Sequence, residues 1–185
     1  MPCDESRNYT AIMTRTSNQR RRLLKLLPMV PLFLRSTTFA VQAEAKSWPG
    51  IEFTEARAYA WPAELAPDKV VRKDNTLLPG VANPAGALLS EAQVKRLQAA
   101  VTGGHRSYSV ARCHIPRHAV VFYDKDKKPV AFLEICLDCK SRRAEPAVAE
   151  HLDLGTIADL LTELKLPLGN FTDAEAFKKS ISFTS

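Results

Sequence analysis

Apolar and polar positions repeat with two different periods along this chain, and the change from one to the other marks its elements. Ile51–Trp61 mixes β-branched, aromatic and polar residues and predicts a first strand that ends at Pro62. Pro62, Pro67, Pro79 and Pro84 then fix φ and remove backbone donors, which predicts a wrapping loop with room for one short strand. Ser90 followed by Gln93 is a capping-box pair, and Val94, Leu97, Ala100 and Val101 recur at helical spacing until Gly103-Gly104 stops the helix. Arg106–Arg112 alternates as a strand. Ala119–Tyr123 and Val130–Leu137 are apolar, β-rich runs around the polar stretch Asp124–Pro129, the pattern of a β-hairpin. Thr156 can cap a helix running through Lys165 with Ile157, Leu160, Leu161 and Leu164 on one face, and Thr172 or Asp173 a last helix through Ser180. Strands grouped in the middle with helices at the edges predict an α+β fold, a small antiparallel sheet with a central β-hairpin and about three flanking helices.

The chain has 185 residues, 45% of them hydrophobic and 25% charged, the balance of an ordinary globular protein rather than a disordered one. A formal charge of +6 invites a nucleic-acid reading until the charges are located. Residues 1–45 hold seven Arg and Lys against three acids, leaving 19 basic and 17 acidic residues in 46–185. A nearly neutral body lacks the basic footprint that phosphate-backbone binding needs, so nucleic acid is not an expected partner. No run of about 18 apolar residues occurs, so no integral membrane span is expected.

The first 45 residues read as a bacterial export leader. No acid occurs between Ser6 and Ala43, and Arg20-Arg21-Arg22-Leu23-Leu24-Lys25 precedes the apolar stretch Leu26–Leu34. This order resembles a twin-arginine signal, with Val41-Gln42-Ala43 as the cleavage site and Met13 as a second possible start. An organelle-targeting peptide is the rival, since it is also Arg-rich and acid-free. The resulting expectation is a periplasmic or secreted protein whose single mature domain spans 46–185.

Three cysteines remain in that body, in Cys113-His114-Ile115-Pro116-Arg117-His118 and Cys136-Leu137-Asp138-Cys139, one segment on each side of the expected hairpin. Pairing Tyr123 with Pro129 sets the register. It places Cys113 opposite Cys139, His114 opposite Asp138 and His118 opposite Glu134. Alternation then puts Cys113 and Cys139 on one face, and His114, His118, Glu134, Cys136 and Asp138 on the other. Three chemistries suit such a cluster. One is a disulfide from Cys113 to Cys139 or Cys136, the default in an oxidising compartment. The second is a metal site in which Cys113, Cys136, Cys139 and one imidazole, His118 or His114, surround zinc or cuprous copper. The third is thiol–disulfide exchange at Cys136 and Cys139, with Cys113 resolving; Asp138 between them opposes thiolate formation. Glu134 and Asp138 stand behind these groups. Glu134 opposite His118 suits either acid–base work or a cross-strand ion pair.

The same residues carry a resemblance. Cys113-x-x-Pro116-Arg117-His118, Val120-Val121-Phe122-Tyr123-Asp124 and Ile135-Cys136-x-x-Cys139 together resemble a pattern in uncharacterised bacterial exported proteins. That resemblance implies no activity. No nucleophile elbow, glycine-rich phosphate loop or zinc-protease helix occurs in the chain. The expected role is an exported accessory protein that binds a protein or small ligand, its Cys/His cluster acting as a staple or metal site. A small thiol–disulfide oxidoreductase is the enzyme alternative.

Overall fold

The computed structural model describes residues 47–184 apart from Ala66 and Asn75, so the expected export leader, residues 1–45, lies outside the described residues. The elements are β1 (Glu55–Ala60), β2 (Ala87–Leu88), α1 (Glu91–Thr102), β3 (His118–Tyr123), β4 (Pro129–Cys136), β5 (Ser141–Glu145), α2 (Leu154–Glu163) and α3 (Ala174–Lys179). The strands form one antiparallel sheet in the order β2-β1-β3-β4-β5. The fold is therefore α+β, with five strands and three helices among the described residues. Among the described residues, no helix is long and apolar enough to cross a membrane.

β3 lies in the middle of this order, and its near-continuous apolar run follows from burial on both faces. One face packs Ala56, Ala58, Val120, Phe122, Leu133 and Ile135 against Val94, Leu97 and Val101 of α1, Ile157 and Leu161 of α2, and Phe177 of α3. The other face presents Tyr59, Trp61, Ala119, Val121 and Phe132 to Val70 and Val71, with Leu65, Leu77, Leu78 and Val81 packed around them. The proline-rich stretch thus replaces a helical layer on this side. Polar side chains hold it there. Asn83 Oδ1 accepts from Ala60 N–H while its amide donates to the Ala58 carbonyl, and Trp61 Nε1–H donates to the Leu78 carbonyl.

Helix starts follow the capping rules closely. Ser90 Oγ accepts from Gln93 N–H and Gln93 Oε1 accepts from Ser90 N–H, the reciprocal capping box read from the sequence. Asp173 caps α3 as expected. α2 departs from expectation by three residues: Asp153, not Thr156, is its cap, and Thr156 instead donates both its N–H and its hydroxyl to the Asp153 carboxylate. The carboxylate is the stronger acceptor for those donors, which moves the start forward.

Two other expectations fail. Arg106–Arg112 is not a strand; it touches the C-terminal segment through the bridge Tyr108↔Phe183 and otherwise runs irregularly. β5 falls where no strand was read, because its sequence, Ser-Arg-Arg-Ala-Glu, lacks an apolar run. It is an edge strand, paired on one side by β4.

Candidate functional site

The site is built where the β4–β5 turn meets the irregular segment leading into β3. Leu137–Lys140 make the turn, closed by Lys140 N–H donating to the Leu137 carbonyl at 3.2 Å, with Lys140 in the left-handed region at φ 52°. The turn folds Cys139 back on Cys136, and Cys139 N–H donates to Cys136 Sγ at 3.2 Å. Two backbone bonds bring the third cysteine alongside: Ala111 N–H to the Cys139 carbonyl at 3.0 Å and Arg117 N–H to the Ile135 carbonyl at 3.3 Å. The Cys139 thiol then lies within hydrogen-bonding reach of both the Cys113 and Cys136 thiols and of Ile115 N–H. All three cysteines are thiols in this structure. Burial pushes the Cys139 thiol far above the ordinary cysteine range, its two sulfur neighbours push it further, and Ile115 N–H offsets this only in part.

The imidazoles and carboxylates are arranged differently from the expected register. Tyr123 does pair with Pro129, but the register shifts between Phe122 and Tyr123, so Phe122 faces Ala131 and His118 faces Ile135 rather than Glu134. A one-residue slip sends every side chain beyond it to the other face. His118 therefore shares the helical face of the sheet with Val120 and Phe122. Its Nε2 donates to the Pro167 carbonyl at 2.6 Å, and burial holds its pKa down to about 4 although that bond and Asp138 pull the other way. The His118–Glu134 pair does not form. Nor does the ligand set Cys113, His118, Cys136 and Cys139 assemble. Among the described residues, no group of three or more His, Cys, Asp or Glu side chains is disposed to hold zinc, copper or another metal ion.

Glu134 takes a different partner. It is fully buried on the loop face, opposite Arg143 in the β4–β5 register. Arg143 Nε donates to Oε2 at 2.5 Å and its Nη2 to Oε1 at 2.7 Å, while Val70 N–H and Val71 N–H donate to Oε1 at 2.8 and 2.5 Å. Arg143 also donates to the Val71 carbonyl. Burial alone would raise the carboxyl pKa, but His114, Arg143 and the two N–H groups outweigh it and hold it at about 2. The cross-strand ion pair foreseen for Glu134 thus exists with an arginine as its cation. This carboxylate ties β4, β5 and the proline-rich loop together.

His114 sits between this ion pair and the thiols. Its Nε2 is 3.7 Å from Glu134 Oε2, beyond hydrogen-bond distance, and its Nδ1 meets Ser141 Oγ at 2.8 Å. Ser141 opposes Cys136 in the register, and its hydroxyl donates to the Cys113 carbonyl at 3.3 Å. Ser141 and His114 therefore strap the backbone of Cys113 to β5. Asp138 does not meet His114; it pairs with Arg117 Nη1 at 3.4 Å, and Arg117 also donates to Asn170 Oδ1 at 3.2 Å. Sequence reading missed Ser141 and Arg143. Their signal was the i, i+2 spacing just after the Cys136–Cys139 turn, which points both to one face of the next strand.

No protein-family model, curated protein or solved structure matches the chain.

Proposed function

We propose that this chain is an exported, non-catalytic binding domain whose cysteine cluster is a structural staple, closed as a disulfide between Cys113 and Cys139. One observation carries the reading: the Cys139 thiol reaches Cys113, a residue remote in the chain, across the β4–β5 turn. The leader's basic, acid-free order supports export, and an oxidising compartment favours pairing of cysteines already in contact. A Cys113–Cys139 bond ties the irregular segment before β3 to the β4–β5 turn. Cys136–Cys139 would only reinforce a turn already closed by hydrogen bonds. The burial that raises the Cys139 thiol argues for a structural role, because an exchanging thiol needs an accessible thiolate.

Intact mass after alkylation under denaturing conditions, with and without reductant, tests this on protein purified from the exported fraction. The expected result is one alkylated cysteine among the three of the mature body without reductant and three with it, with a Cys113–Cys139 peptide in the digest. Three free thiols without reductant would overturn the staple. One stoichiometric metal, or turnover of a dithiol substrate lost in Cys136→Ser, would replace it with a metal site or an oxidoreductase.

A further inference from the structure

A cleft of about 300 Å³ opens away from every residue of the cysteine cluster, lined by His105, Arg106, Tyr108, Leu154, Lys178 and Phe183, among others. This is the small end of the ~300–1,000 Å³ range of sites that take small molecules. Its floor and one wall are the segment after α1 and the start of α2. The opposite wall is the C-terminal segment, held by the Tyr108↔Phe183 bridge, by Ser109 N–H donating to the Ser182 carbonyl at 3.1 Å, and by Thr184 N–H donating to the Ser107 carbonyl at 2.9 Å.

The charges around the cleft are unequal in their pairing. Lys178 is neutralised by Asp159 and Glu175 at 2.8 and 2.9 Å. Asp153 spends its carboxylate on the α2 cap. His105 meets the Ala99 carbonyl through Nε2. Arg106 is different. Its guanidinium stacks 4.3 Å above the Phe183 ring and has no ion pair or hydrogen bond among the described residues. Phe183, 48% exposed, is one of the few large apolar side chains left open to solvent. A guanidinium stacked on a ring keeps its in-plane N–H fork free, the geometry that grips a carboxylate through two parallel bonds.

We propose that this cleft binds a small carboxylate with a flat or short apolar body, its anionic end on Arg106 and its hydrocarbon against Tyr108, Leu154 and Phe183. The apolar walls supply burial for the body. Arg106 supplies for the head a cation with no ion pair among the described residues.

Backbone amide NMR titration of the full chain with 2-naphthoate, and in parallel with neutral 2-naphthamide, tests the proposal. Naphthoate is expected to bind saturably, with the largest shifts at Tyr108, Leu154 and Phe183, and the amide at least tenfold more weakly. Arg106→Gln should weaken naphthoate at least tenfold, and Phe183→Ala at least fivefold, with the spectrum otherwise unchanged. Cys113→Ser should leave the affinity within twofold, so the cleft and the staple stand or fall separately. Absence of saturable binding, equal affinity for acid and amide, or shifts centred elsewhere would each overturn it. The acid–amide comparison uses the unaltered protein and holds even if a variant fails to fold.

Discussion

His118 and Glu134 show at single-residue resolution how burial is made tolerable in two opposite ways. Glu134 stays ionised because a guanidinium and two backbone N–H groups converge on it. His118 stays neutral because burial at 1% exposure disfavours its charged form, although its bond to the Pro167 carbonyl favours it. The neutral imidazole has a measurable consequence. Its folded pKa of about 4 lies below the ordinary 6.5, so the unfolded state takes up a proton first as pH falls. The stability that His118 contributes is complete above pH 6.5 and is lost progressively down to pH 4, on the order of 3 kcal/mol over the whole window. Urea unfolding between pH 7.5 and 5.5, above the ordinary pKa of 4.5 at which Glu134 protonates in the unfolded chain, should therefore show a falling midpoint. In His118→Gln that part of the slope should vanish. An unchanged slope would mean that the imidazole is not held neutral in the fold.

At the scale of elements, what repeats locally was legible and what depends on a neighbour was not. α1 carries its own start signal, its own period and its own stop, and its bounds agree with the sequence reading. Its capping box is exposed and self-contained, so Ser90→Ala should cost about 1 kcal/mol in chemical denaturation without shifting any tertiary signal. A cost near zero would mean that Gln93 caps the helix alone. β5 has no such autonomy. Ser141, Arg142 and Arg143 become a strand because β4 offers an unpaired edge and because Glu134 waits opposite Arg143. Arg106–Arg112 is the converse case. Its alternation is that of a strand, but it joins no sheet edge; its backbone bonds instead go to the C-terminal segment and to the β4–β5 turn.

At the scale of the molecule, the sheet lies between a helical layer and a proline-rich loop, and the cysteine cluster joins the β4–β5 turn to the segment leading into β3. Closing the proposed Cys113–Cys139 bond makes a loop of about 25 residues, for which restriction of the unfolded chain contributes roughly 3 kcal/mol. Cys113→Ser should therefore lower the stability of oxidised protein by about that amount while changing reduced protein far less. An equal loss in both forms would assign the effect to packing.

The local patterns of the chain determined the class of fold, the starts of α1 and α3, and the two runs that become β3 and β4. Each of these depends on spacing within a few residues or on one short turn. Tertiary structure alone decided which β3 and β4 side chains meet and that the thiol of Cys113 comes up to that of Cys139. A single irregularity at Phe122/Tyr123 shifts the β3–β4 register by one. With a side-chain period of two, that shift carries His118 away from Glu134 and into the helical core. It also leaves Glu134 to an arginine on a strand whose sequence gives no apolar signal, since pairing partners are set by the whole sheet rather than by either strand.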